Sequence, residues 1–187
     1  MSETKRKLSD VQILAICHSV ALVLLSFFGA NVFSLAEKFS GNIVGYMLLP
    51  INRSMWEFGK MLLVCMSIIF TVEYFIVGRR IKNYIPVHLI IATLVPLVML
   101  IILAAFNFFF GSLSMEGAQA VLFLTLIIAA FLLSIIWVAS KKGLSRYAVL
   151  FLIVYILLCG LFVLFSFIRP ELKLFFDYGA NGYGPVY

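Results

Sequence analysis

Three ionisable side chains stand inside otherwise apolar stretches of this sequence: His18, Glu73 and His88. An ionisable group is costly in hydrocarbon, so these residues are the best pointers to function. A neutral histidine can donate a hydrogen bond to a carboxylate, and two histidines with one carboxylate also form a plausible shell for a transition metal.

The three side chains are expected at similar depths. His18 lies seven residues into the first apolar run, Glu73 five residues from the end of the second, and His88 two residues into the third. At about 1.5 Å per residue in a helix, these depths agree within about two turns. Contact among the three therefore requires only that their helices be neighbours.

Structural pairing competes with a chemical role for these residues. Glu73 can face Arg79 or Arg80 just beyond the second run, and His88 follows Pro86, where the first turn of a helix tolerates polar groups. The sequence favours this pairing over a metal or proton-relay site. It therefore assigns no metal and leaves the cofactor unknown.

A second group of polar residues lies just before the second apolar run. Ser54 and Glu57 have the S-x-x-E spacing of a capping box. Trp56 has the chemistry of an interfacial anchor, and Glu57 can pair with Arg53 or Lys60 along one helix face. Structural roles account for almost every residue, although such a dense cluster is equally compatible with a pocket. The candidate outer cluster comprises Asn52, Arg53, Ser54, Trp56, Glu57, Lys60 and, from the outer end of the third run, Asn107.

The elements that position these residues must be membrane helices. Of the 187 residues, 64% are hydrophobic and 12% are charged, whereas soluble domains are about 45 to 50% apolar and about 25% charged. One core of this size cannot hide so much apolar surface from water. The composition therefore excludes an ordinary soluble globule.

Five apolar runs reach the roughly 20 residues that a spanning helix needs. We predict an all-α fold, a polytopic helical membrane protein with about five transmembrane helices in one domain over residues 1–187. The predicted spans are residues 11–33, 59–78, 86–110, 117–140 and 146–168.

Two segments outside these spans have a predicted structure of their own. The run from Ile43 to Ile51 is too short to cross and contains Pro50, so we predict a short re-entrant or interfacial segment. Residues 169–187 are predicted to form an outer C-terminal tail, and its Gly- and Tyr-rich part from Asp177 to Tyr187 is predicted to be extended.

The charge distribution predicts an orientation. The formal charge is +6, but the basic residues are scattered between apolar runs, which argues against a nucleic-acid partner. Nine of the 14 basic residues lie in the N-terminal segment and the second and fourth loops, which five spans place on one side. The positive-inside rule then predicts a multi-pass protein of the plasma membrane, with the N-terminus cytoplasmic and the C-terminus outside.

Two further classes are disfavoured. The first apolar run has about 23 residues, longer than the roughly 7 to 15 of a signal peptide, so we expect an uncleaved helix. Cys17, Cys65 and Cys159 each stand alone within an apolar run, which supports neither a disulfide framework nor a zinc site.

The outer cluster resembles an uncharacterised family of bacterial integral membrane proteins, a domain-of-unknown-function family. Its signature is Pro-Val-Asn-Glu-Ser-x-Trp-Glu-His-x-Lys, and it is matched here by Pro50, Asn52, Ser54, Trp56, Glu57 and Lys60. Similar later features are the basic segment 78–84, Phe176 with Asp177, and residues 182–184. The resemblance implies a multi-span helical protein of about this length and brings no known reaction.

The chain departs from that pattern at three places. Arg53 stands where the family has Glu, Phe58 stands where it has His, and no histidine occurs between Gly29 and Phe33 at the end of the first span. If relatives use those groups to hold a metal or to move protons, this chain has lost that outer site or has replaced its charge.

Function follows only coarsely from these features. No nucleophile and base pair, P-loop or HExxH motif occurs, so the sequence gives no catalytic motif and leans against an enzyme. We expect a component that binds or transports a small molecule or a lipid, or a subunit of a membrane complex. Its expected partners are the lipid bilayer and either further copies of the same chain or the other subunits of a membrane complex. The alternative is an intramembrane metal-dependent hydrolase or lipid-modifying enzyme that uses His18, Glu73 and His88.

Overall fold

The computed structural model describes residues 9–39, 42–110, 115–138, 144–168 and 170–183, and their regular elements are all helical. Three single-turn 3-10 helices, at Gly78–Arg80, Ser145–Tyr147 and Lys173–Phe175, lie between or after the α-helices. The α-helices are α1 (Asp10–Lys38), α2 (Ile43–Leu48), α3 (Met55–Ile76), α4 (Tyr84–Phe110), α5 (Met115–Val138) and α6 (Ala148–Ile168).

The predicted class, an all-α polytopic helical protein, is confirmed. Among the described residues, α3, α4, α5 and α6 are long and apolar enough to cross a membrane. Helix α1 has 29 residues, and its segment Asp10–Leu25 is apolar but shorter than those four helices. Every predicted span falls largely within one of these five helices.

Helix α4 lies at the centre and packs against α3, α5 and α6, while α1 packs against α5 and α3. Apolar side chains of α3, α4 and α5 form the main core between them. Its most deeply buried members include Leu62, Met66, Val87, Met99, Leu103 and Ile127. This packing brings the polar residues of three neighbouring helices within reach of one another.

The loops that carry basic residues meet at one end of the bundle. Arg80 Nη1 lies 3.6 Å from Asp10 Oδ1, which places the start of α1 beside the α3–α4 connection. Arg79 and Ser145 line one shared cavity, so the α5–α6 connection lies at the same end.

The short apolar run forms the six-residue helix α2, which has no buried residue. The side chain of Asn42 caps its start by accepting the Val44 N–H at 2.9 Å. Helix α2 packs against α6 and α3 at the end opposite to the basic loops. A short helix is what an interfacial segment requires, and its depth in a membrane stays a prediction.

The prediction of an extended segment from Asp177 is wrong for residues 177–182, which form a turn closed by the backbone pair of Asp177 and Gly182. The buried Asp177 carboxylate accepts the N–H groups of Gly179 and Ala180 at 2.8 and 3.0 Å. Its second oxygen accepts the Arg53 N–H at 2.7 Å, which fixes the turn to the segment before α3. Because the carboxylate accepts hydrogen bonds from three backbone N–H groups, the segment forms a defined turn despite its high glycine content.

We expect Asp177→Ala to release this turn, because three backbone N–H groups lose their acceptor. A hydrogen bond to a charged acceptor contributes about 1.5 to 3 kcal/mol to stability. Hydrogen exchange of the full chain in detergent should show faster exchange over residues 173–183. Glu171→Ala, at an exposed position of the same segment, is the matched control and should leave the exchange unchanged. Equal exchange in both variants would contradict this role of Asp177.

Candidate functional site

The inner cluster consists of His18 from α1, Glu73 from α3 and His88 from α4. His18 Nε2 lies 3.1 Å from Glu73 Oε2, and His88 Nε2 lies 4.0 Å from the same oxygen. The three residues are only 2 to 4% exposed. One ligand-type atom from each residue lies within 4.8 Å of the other two. Three helices thus place two imidazoles around one buried carboxylate.

The orientation of His88 is fixed by its own helix. His88 Nδ1 lies 2.7 Å from the carbonyl oxygen of Tyr84. A carbonyl oxygen can only accept, so Nδ1 carries the proton and Nε2 of the neutral ring carries a lone pair. The ring stacks on Tyr84 with centroids 3.8 Å apart and meets the edge of Phe70 at 4.4 Å. The lone pair of His88 is therefore held on the side of Glu73.

Helix α5 and Tyr84 fix the other two members. His18 stacks on Phe131 of α5, with centroids 4.3 Å apart and planes 5° apart. The Tyr84 hydroxyl lies 2.7 Å from the Phe70 carbonyl oxygen and 3.3 Å from Glu73 Oε2, so it holds the carboxylate side of the cluster. Aromatic rings thus enclose the polar groups and exclude solvent.

Three buried atoms of this cluster have no hydrogen-bond partner: His18 Nδ1, Glu73 Oε1 and His88 Nε2. Nearly all buried polar atoms in folded proteins have a partner, so each exception requires an explanation. The inner cluster contains more electron-pair donors than its own protons satisfy. It has the composition of a site that receives a cation or a hydrogen-bond donor.

The expected pairing of Glu73 with Arg79 or Arg80 is wrong. The Arg79 guanidinium lies over the Phe75 ring, 4.5 Å from its centroid, and Arg80 pairs with Asp10 at 3.6 Å. Both arginines lie in the 3-10 turn beyond α3, whereas Glu73 is inside the helix and faces α1 and α4.

The expected place of His88 in a first helical turn is also wrong. Helix α4 begins at Tyr84, two residues before Pro86, which places His88 in the second turn. There its side chain is buried against Phe70 of α3. The His88 imidazole therefore lies in the interior of the bundle and not at the end of a helix.

The outer cluster centres on a buried ion pair between Glu57 and Lys60 of α3. Lys60 Nζ also donates to the Tyr46 carbonyl oxygen at 3.0 Å and to Ser166 Oγ at 2.9 Å. Glu57 Oε1 lies 2.9 Å from Ser166 Oγ, and Glu57 Oε2 accepts the Ile51 N–H at 3.2 Å. The pair thus joins α2, α3 and α6 and is fully hydrogen-bonded.

The capping box forms only in part. Ser54 Oγ accepts the Glu57 N–H at 3.4 Å and caps α3. The Glu57 carboxylate does not return to Ser54, whose N–H instead donates to Asn52 Oδ1 at 3.0 Å. The carboxylate pairs with Lys60, which settles the choice between Lys60 and Arg53 as its partner.

The other two outer residues lie elsewhere than expected. Trp56 is only 7% exposed and packs against Phe162 and Phe175, with centroids 4.5 and 4.9 Å away. It is therefore a core residue, and its prediction as an interfacial anchor is wrong. Asn107 Nδ2 donates to the Tyr178 hydroxyl at 2.9 Å, which ties α4 to the C-terminal turn.

Sequence reasoning missed Ser166 and Tyr84. Ser166 lies 106 residues from Lys60 within an apolar run, where a serine carries no signal of its partner. Tyr84 lies two residues before the start of the third predicted span, and its position four residues before His88 was the available signal.

The fold and these clusters define a class: polytopic helical proteins with ionisable groups buried between the helices. Residues 6–185 match the family of unknown function DUF6512, and the chain belongs to this family. The predicted membership of an uncharacterised domain of unknown function is thereby confirmed. No curated protein and no solved structure matches the chain.

We expect Lys60→Met to be strongly destabilising, because it leaves the Glu57 carboxylate buried and uncompensated. Breaking a buried ion pair from one side costs about 3 to 5 kcal/mol. Unfolding of the full chain in detergent should show this loss, and the double variant Glu57→Gln with Lys60→Met should recover part of it. Lys173→Met, at an exposed position, is the control. An effect no larger than that of the control would contradict the structural role of the pair.

Proposed function

We propose that this chain is an integral membrane protein that binds a lipid-like molecule in a groove between α1 and α3. The groove has a volume of about 430 Å³, within the roughly 300 to 1,000 Å³ of small-molecule sites. Its lining is apolar apart from two cysteines and one carboxylate. The lining residues are Ile16, Cys17, Val20, Ala21, Leu24, Leu25, Cys65, Ile68, Ile69, Val72, Glu73 and Ile76.

The walls of the groove favour an apolar ligand that enters from the side. Leu24 of α1 and Ile68 of α3 are 63% and 59% exposed, and both lie within the hydrophobic length of their helices. In a bilayer such residues face lipid chains, so the groove opens to the hydrocarbon and not to water. A molecule that enters there must itself carry an apolar chain.

Glu73 is one of the lining residues, and the Oε1 atom of its buried carboxylate has no hydrogen-bond partner. This unpaired oxygen beside the groove is the main support for a ligand with a polar head, because a groove that only accommodated lipid tails has no use for a carboxylate. A hydroxyl, amide or amino group of a ligand can donate to Oε1 and compensate its desolvation. The ligand we infer is thus an amphiphile with one apolar chain and a hydrogen-bond-donating head.

We further propose that the protein lies in the plasma membrane with the start of α1 facing the cytoplasm. Support comes from the clustering of basic residues: Arg79, Arg80 and Lys82 lie in the same end region as Arg146. The positive-inside rule assigns that end to the cytoplasm.

Filling the groove should abolish ligand retention. We expect the wild-type chain, purified in a mild detergent, to retain about one amphiphile per chain in native mass spectra, and Ile68→Trp to lose it. Ile136→Trp changes an equally exposed position of α5 outside the groove (62% against 59%) and is the matched control. Retention of the amphiphile by Ile68→Trp, or its absence from the wild type, would overturn the proposal.

Fusions at the two ends test the orientation. Alkaline phosphatase fused after Tyr187 should be active, because the enzyme folds only outside the cytoplasm, and a green fluorescent protein fused before Met1 should fluoresce. An inactive C-terminal phosphatase together with a fluorescent C-terminal fusion would contradict the assigned orientation.

A further inference from the structure

We propose that His18, Glu73 and His88 bind a divalent first-row transition-metal ion, such as zinc or iron. The proposal rests on the geometry of the three side chains and on the unpaired Nε2 atom of His88. It does not depend on what occupies the groove between α1 and α3.

The ligand atoms have the chemistry that such ions select. Two imidazole nitrogens and one carboxylate oxygen suit zinc and iron, whereas calcium and magnesium prefer oxygen ligands throughout. Neutral imidazoles and an ionised carboxylate together contribute a single negative charge. A divalent cation compensates that charge inside the bundle.

The distances are close to those of a coordination shell. Ligands about 2.0 to 2.2 Å from a tetrahedral metal lie about 3.4 Å from one another. Glu73 Oε2 lies 3.1 Å from His18 Nε2 and 4.0 Å from His88 Nε2, and the largest separation in the triad is at most 4.8 Å. Side-chain rotations that draw the two imidazole nitrogens together by up to about 1.4 Å complete the shell.

The hydrogen bonds of His88 and Glu73 resemble those around metal ligands. Histidines that bind metals almost always donate their other ring N–H, often to a backbone carbonyl. His88 does so through Nδ1 and the Tyr84 carbonyl oxygen, which leaves Nε2 available. The Tyr84 hydroxyl holds Glu73 Oε2 in the same way.

A hydrogen bond between His18 and Glu73 alone does not explain the remaining atoms. The lone pair of neutral His88 Nε2 faces Glu73 Oε2, and two acceptors that face each other at 4.0 Å repel. A cation among these atoms converts the repulsion into three favourable contacts.

Two properties of the bound state follow. The ligands come from α1, α3 and α4, so the metal links three helices and should raise the thermal stability of the whole chain. Three protein ligands leave a coordination position for water or another ligand. Glu73 also lines the groove, so the metal site lies beside it.

Metal binding should be measured with zinc and cobalt(II) alone. The full chain in detergent is stripped with a chelator, reloaded, freed of excess metal and analysed by mass spectrometry of its metal content. We expect about one zinc per chain and a rise in the melting temperature. Cobalt(II) should show the visible bands of nitrogen and oxygen ligands, without the intense near-ultraviolet band of a thiolate.

Substitutions assign the ligands. His18→Ala, His88→Ala and Glu73→Gln should each abolish stoichiometric binding, and Tyr84→Phe, which removes one hydrogen bond to Glu73, should weaken affinity about 10-fold. Cys17→Ala changes a neighbour on α1 that also lines the groove, and it should bind one metal with an unchanged cobalt spectrum.

Several results would overturn the metal site. These are a folded wild-type chain that holds no metal after reloading, a thiolate band in the cobalt spectrum, or full binding by a folded His88→Ala variant. Should an alanine variant aggregate, His18→Gln and His88→Gln keep the side-chain size and serve in its place. If Ile68→Trp loses the amphiphile but still binds zinc, the two proposals can be judged separately, because the groove and the metal site respond to different substitutions.

Discussion

The packed interior of the bundle excludes water, so every buried polar side chain there must find its partners within the protein. The Glu73 carboxylate is the point at which this constraint is most demanding. It lies in α3 and is contacted by His18 of α1, by Tyr84 and by His88 of α4, while α5 supports His18 through Phe131. Four helices are thus arranged around one charge. The orientation of each helix about its own axis keeps the partner side chains close to the Glu73 carboxylate.

The two polar clusters differ in how far their buried polar atoms find hydrogen-bond partners. At the outer end, Glu57, Lys60 and Ser166 satisfy one another, and the remaining bonds reach the backbone of Ile51 and Tyr46. Such a cluster fixes the ends of α2, α3 and α6. Among the described residues, the outer cluster leaves one buried polar atom without a partner, the Trp56 indole Nε1, which lies among aromatic rings. The inner cluster leaves three such atoms around one carboxylate. The satisfied ion pair is therefore a structural link, whereas the groups around Glu73 have the character of a binding site.

Much of the architecture could be predicted from the sequence, because apolar length and helical rise depend on local composition. The depth of His18, Glu73 and His88 was predictable for the same reason. Their choice of partners was not, because hydropathy does not reveal how each helix is rotated about its axis. The Glu73 side chain faces the two histidines and not Arg79 or Arg80. The turn at Asp177 was also beyond prediction, since Arg53, one of its donors, lies 124 residues away.

We propose that the inner cluster binds a cation and is not a closed hydrogen-bonded pair. X-ray absorption of the zinc-loaded full chain tests it most directly. We expect a first shell of nitrogen and oxygen at about 2.0 to 2.1 Å with the outer scattering of two imidazoles. A shell that contains sulfur, or one that lacks imidazole scattering, would contradict the claim.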